Sequence, residues 1–187
     1  GRSMASVLCS SKLHRALAPG RVSGAATGAG DNARLGDWAA TLAGREFVVA
    51  IEERTCLTLV VRLLPVPGFR DRLAAALRLA LGSCGVSSDA IGSECEALER
   101  AQFLSRRQPA LREAMAFAEM EARAHVEGGQ DEASVQDMLN EYPYGECPAS
   151  CPTEAVAMLF QPRCVRHDTA SRIGAASSRP TRRPAMN

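Results

Sequence analysis

Three short apolar stretches follow one another almost without interruption: Asp37 to Ala43, Glu46 to Glu53 and Cys56 to Leu64. Gaps as small as Gly44-Arg45 and Arg54-Thr55 leave no room for a helix or a crossover, so the chain must turn back on itself each time. The pattern predicts an antiparallel meander and an α+β class, and it excludes most nucleotide-binding α/β folds. Phe47, Val49 and Ile51 share one face, Val48 and Ala50 the other; Leu57, Leu59, Val61 and Leu63 alternate in the same way with Thr58, Val60, Arg62 and Leu64. Strands apolar on both faces belong inside a sheet that is covered on each side. Trp38 opens the first of these strands, a position suited to anchoring a sheet edge.

Upstream, Ala5 to Ser10 predicts a further strand and Lys12 to Ala18 a turn or two of helix. Pro19 to Gly36, rich in Gly, Ala and Ser, predicts a long mobile loop. Its Gly24, Gly28 and Gly30 imitate a phosphate-binding loop, but no strand leads in and no Lys-Ser/Thr follows. Downstream, Phe69, Leu73, Leu77 and Leu81 make one apolar stripe of a helix, with Gly82 as its left-handed stop. A second helix is predicted over Ser88 to Glu99, with Ile91, Cys95 and Leu98 inward, then a short strand over Gln102 to Ser105. Pro109 suits the first turn of a longer helix to about Val126. Its stripe is Leu111, Met115, Ala118 and Ala122, widened by Phe117 and Met120. Gly128-Gly129 ends it. Asp131 caps a helix burying Val135, Met138 and Leu139, and Thr153 caps a last one, Glu154 to Phe160. The expected fold is a meander sheet of four to five strands against four to five helices. It forms one domain over residues 1–160, followed by a basic, disordered tail over 161–187.

Composition adds a charge asymmetry. Residues 161–187 hold six arginines (Arg163, Arg166, Arg172, Arg179, Arg182, Arg183) against Asp168, a net of +5; residues 1–160 then carry 16 basic and 20 acidic side chains, a net of −4. Lys12 is the only lysine, and the aromatic content is 4%, so Leu, Val, Ala and Met must build the core. No stretch is long and apolar enough to span a membrane. Nor does the start have the pattern of a secretory signal. Gly1-Arg2-Ser3 ahead of Met4 resembles a cloning remnant. Cys9, Cys56, Cys84 and Cys95 stand in apolar surroundings, as small buried thiols do in a reducing cytoplasm.

The sharpest local pattern for chemistry is Cys147, Cys151, Cys164 and His167, spaced C-x3-C-x12-C-x2-H, within the range of structural zinc sites. Free thiols, or a Cys147–Cys151 disulfide, are the competing readings. Arg106, Arg107 and Arg112 gather near a helix N-terminus as an anion or ligand site, or simply as solubility and capping contacts. His14, His125 and His167 have no nucleophile signature around them. Glu52 and Glu53 at a hairpin turn, and Glu94, Glu96, Glu99, Glu113, Glu119 and Glu121 on helices, read as solvated faces. Arg179, Arg182 and Arg183 offer nucleic acid a non-specific electrostatic arm, without aromatics to stack on bases.

Leu35-Gly36-Asp37-Trp38 ahead of paired strands, then Ser105-Arg106-Arg107-Gln108-Pro109-Ala110-Leu111-Arg112-Glu113-Ala114-Met115 opening a long helix, resembles an uncharacterised bacterial family, a domain of unknown function, over about Met4 to Phe160. The resemblance implies a small α+β fold and no activity, cofactor or catalytic residue. The Gly-rich loop, the cysteines near Cys147 and the basic tail depart from its pattern. The expectation for function is a small cytoplasmic accessory module that binds another protein or itself as a homodimer, with no catalysis and no cofactor. The alternative is a zinc-binding regulator or nucleic-acid-associated protein using the C-terminal Cys/His cluster and the arginine-rich tail.

Overall fold

The computed structural model describes residues 5–17, 33–106 and 108–161. The meander is present as β2 (Trp38–Ala43), β3 (Phe47–Glu52) and β4 (Thr58–Arg62), paired antiparallel with Ala40 opposite Ala50 and Val49 opposite Val60. Gly44, at φ +69°, takes the left-handed position in the first turn. Two further strands, β1 (Ser6–Cys9) and β5 (Gln102–Ser105), complete a sheet of order β4-β3-β2-β1-β5.

The sheet is mixed, which corrects the purely antiparallel expectation. β1 runs parallel to both neighbours, with Leu8 beside Ala39 and Leu104. Tight turns constrain only β2 to β4. The segments that separate β1 from β2 and from β5 span a helix or much more, long enough for a crossover. Trp38 therefore sits in an interior strand, opposite Val7 and Glu52, and anchors no edge.

Among the described residues six α-helices surround the sheet, rather than four or five: α1 (Ser11–Leu17), α2 (Phe69–Ser83), α3 (Ser88–Glu99), α4 (Arg112–Glu127), α5 (Glu132–Asn140) and α6 (Pro152–Phe160). A 3-10 turn, Pro109–Leu111, leads into α4. One sheet face (Val7, Cys9, Trp38, Ala40, Val48, Ala50, Leu59, Val61) packs on α1, α2 and α3, with Val156 of α6. The other (Ala39, Phe47, Val49, Ile51, Val60) packs on Leu111, Ala114, Ala118 and Ala122 at α4 and on Val135 and Leu139 of α5. The small alanines let α4 lie close on the strands. Among the described residues, no helix is long and apolar enough to cross a membrane.

Several local expectations shift. Helix α2 runs through Gly82, and Gly85 (φ +73°) supplies the stop, with Val86 N–H bonded to Leu81 O and Gly85 N–H to Gly82 O. Gly128-Gly129 closes α4 in the same way, through Gln130 N–H to His125 O. Asp131 caps α5 by accepting from Ser134 N–H at 2.9 Å. Thr153 lies inside α6 and donates to Asn140 O instead; Cys151 holds the cap position and Pro152 the first turn. Met120 and Met138 project outward, out of phase with the buried stripes.

The two sheet edges differ. Along β4, Asn140 of α5 accepts from Thr58 N–H at 2.8 Å and donates to Thr58 O at 2.9 Å, and Gln136 accepts from Val60 N–H at 3.2 Å. Side-chain amides thus complete the ladder where a further strand would stand. Along β5, Gln102 N–H bonds to Ala5 O and Arg106 N–H to Cys9 O, so the backbone groups of Phe103 and Ser105 point away from β1. Among the described residues nothing bonds to them. That edge is open.

Candidate functional site

Helices α4 and α5 cover the sheet over β2, β3 and β4 and stop short of β1 and β5. Leu104, on that side of β5, is left 39% exposed. Between this bare part of the sheet and the first half of α4 lies a cleft of about 520 Å³, at the carboxyl ends of β1 and β5. Leu8, Ala39 and Met115 give it an apolar floor, and Ser10 and Thr41 contribute hydroxyls, the Thr41 hydroxyl donating to Ser10 Oγ at 3.3 Å. Ser10 also accepts from Leu13 N–H at the start of α1.

Arg106 and Arg112 both line this cleft. The sequence places them six residues apart; the turn between β5 and α4 brings them to one opening. Both are exposed, and neither guanidinium is hydrogen-bonded or ion-paired among the described residues. Two unneutralised guanidiniums beside hydroxyls can hold a carboxylate or phosphate through charge-assisted bonds. Glu119, two turns further along α4, lines the far end. Arg107 lies outside the described residues.

A second polar constellation supports the approach to β2, and it corrects the reading of the acids as solvated. Glu52 is 0% exposed. Its Oε2 accepts from Arg54 N–H at 3.0 Å, Thr55 N–H at 2.8 Å and the Thr55 hydroxyl at 2.7 Å, while its Oε1 accepts from Gly36 N–H at 2.6 Å. Glu94 of α3, also buried, accepts from Arg34 N–H and Leu35 N–H. Residues 34–36 are thus held along their backbone by two buried carboxylates. Desolvation pushes both carboxyls above their ordinary value, and the charge of Glu52 adds to the rise of Glu94. The donors around each carboxylate oppose that rise and mark it as a backbone acceptor. Glu53 remains exposed and accepts from Gln108 at 2.8 Å, tying this belt to the cleft.

Gly36 has no room for a side chain: a Cβ would stand 3.1 Å from Glu52 Oε1 and 3.0 Å from Glu53 Oε1 and Arg54 Cδ. Gly36→Ala is expected to cost about 1–2 kcal/mol in chemical denaturation, because the neighbour at Glu52 is itself fixed by four bonds.

The metal expectation divides. Cys164 and His167 lie outside the described residues, as do Gly24, Gly28, Gly30 and the arginines of 163–183. Cys147 is half-buried and donates to Thr55 O at 3.5 Å, and Cys151 caps α6. Among the described residues, no group of three or more His, Cys, Asp or Glu is placed to hold a metal ion. His125 pairs with Glu121 at 3.2 Å on α4, and Arg62 pairs with Glu132 at 3.0 Å at the exposed end of β4. Neither enters the cleft. No protein-family model, curated protein or solved structure matches the chain.

Proposed function

We propose that the chain is a non-catalytic interaction module, a small bacterial accessory protein of the cytoplasm related to the uncharacterised family it resembles, and that it works without a cofactor. It takes an extended, acidic segment of a partner protein along the open edge of β5, where Arg106 and Arg112 hold the segment's carboxylates. The observation that carries this reading is the contrast between the two edges. Asn140 and Gln136 seal β4, whereas among the described residues nothing bonds the outward backbone groups of Phe103 and Ser105 or pairs the guanidiniums of Arg106 and Arg112. An unsealed edge is a template for strand addition, in which main-chain bonds give affinity and flanking side chains give selectivity. The two buried carboxylates, Glu52 and Glu94, serve backbone donors away from the cleft, which favours binding over catalysis.

The test is the anisotropy of a labelled peptide of alternating Val and Glu, titrated with the full chain at low and high salt. Binding in the micromolar range that weakens with salt, falls at least about tenfold in R106E/R112E and slows amide exchange at Phe103 and Ser105 is the expected result. A peptide that binds the double variant equally well overturns the reading. So does a sedimentation profile in which the chain is already a dimer with those amides protected, since a second copy then occupies the edge.

A further inference from the structure

Apart from the cleft, one pair of reactive groups ties distant parts of the chain together. Cys56 lies in the β3–β4 turn, fully buried, with its backbone at φ +57°, a left-handed conformation that a non-glycine residue rarely adopts. Its N–H bonds to Glu52 O at 2.9 Å, which holds the turn in place. Cys147, in the segment between α5 and α6, packs against the same core cluster and donates to the carbonyl of Thr55, the residue before Cys56. The two thiols thus stand in one cluster, close enough that each alters the ionisation of the other. Cys147 is half-buried and reachable from solvent; Cys56 is not.

We propose that Cys56 and Cys147 form a disulfide-competent pair, a modification site that takes a low-molecular-weight disulfide as its oxidant and locks the segment between α5 and α6 onto the β3–β4 turn. The Cys147 thiolate attacks one sulfur of the oxidant, forming a mixed disulfide and releasing one thiolate. Cys56 then gives up its proton, and its sulfur displaces the second thiolate from Cys147. Two protein thiols are oxidised, and the oxidant leaves as two thiols. Burial pushes the Cys56 thiol up to about 12, so the closing step is the slow one and the mixed disulfide on Cys147 accumulates before the bond forms. The bond would close a loop of about 90 residues, long enough for a large stabilisation by constraint of the unfolded chain.

The experiment incubates the full chain with excess oxidised glutathione at about pH 8, blocks free thiols after unfolding, and maps peptides without reduction. Peptides containing Cys56 and Cys147 should be joined, with the intact protein about 2 Da lighter and its unfolding midpoint raised by roughly 10 °C, both reversed by dithiothreitol. Cys147→Ser should abolish the joined peptide and the shift. Recovery of Cys56 as a blocked free thiol, of Cys147 joined to Cys151, or of Cys147 still carrying glutathione at equilibrium would overturn the proposal, and the mapping reads on the native chain whether or not the variant folds.

Discussion

Glu52→Ala is expected to lower the unfolding free energy by about 4 kcal/mol in denaturant titration, a large share of the stability of a domain this size. Four donors converge on that one carboxylate, and three of them are backbone N–H groups, of Gly36, Arg54 and Thr55. Alanine leaves them without an acceptor inside the protein, at about 1–3 kcal/mol for each that water fails to reach. Relief of a buried charge offsets part of the loss. Glu52→Gln separates the contributions. Its oxygen can replace Oε2 and keep three donors, but its amide then faces Gly36 N–H, so a smaller loss of about 2 kcal/mol is expected, together with faster amide exchange at Gly36. A loss under about 1 kcal/mol for the alanine variant would mean that water satisfies the donors.

The same carboxylates give a pH dependence with a definite sign. The folded-state values of Glu52 and Glu94 are raised by burial above those of the unfolded chain. Each therefore contributes most below the unfolded value, and that contribution is lost as pH rises through the folded value. Between neutral pH and about pH 5, the wild type should gain stability relative to Glu94→Gln, in which nothing titrates at that position.

Asn140→Asp is expected to cost about 3 kcal/mol, and Asn140→Ala about 2 kcal/mol. Asn140 both accepts from and donates to the backbone of Thr58, inside the protein. Alanine removes both bonds. Aspartate keeps the acceptor but sets a charged oxygen against Thr58 O, adding repulsion and desolvation to the lost donor. Either change unseals β4, so light scattering on heating should rise along with amide exchange at Thr58. Equal stability of the alanine variant and the wild type would show that the edge is closed by α5 packing rather than by this amide.

The meander was legible because alternation and short gaps act locally, and the ends of α4 and α5 because caps are written within a few residues of the helix. The parallel pairing of β1 was not: nothing in Ser6–Cys9 states that Gln102–Ser105 will lie beside it. The burial of Glu52 left a signal in the phase of its strand. It is in step with Val48 and Ala50, the positions facing α2 and α3, so a strand covered on both sides had to bury it. The misreading came from treating the hairpin turn as wet. Its partners, by contrast, were hidden, since one of the four donors comes from Gly36, sixteen residues earlier. Arg106 and Arg112 were grouped from sequence spacing alone, but the floor they stand over comes from Leu8 and Ala39, which only the fold brings there.

The position of β1 in the sheet also orders events during synthesis. β2, β3 and β4 can pair as they leave the ribosome, since each needs only the segment just before it. β1 is made first, yet its outer partner, β5, lies nearly a hundred residues downstream. Until Ser105 has emerged, Val7 and Cys9 must sit in a sheet with a raw flank, and the carboxyl ends of β1 and β5 do not yet exist as one place. The cleft thus exists only once the nascent chain has reached α4, and a chain stalled short of it would display an unfinished edge in place of a binding site.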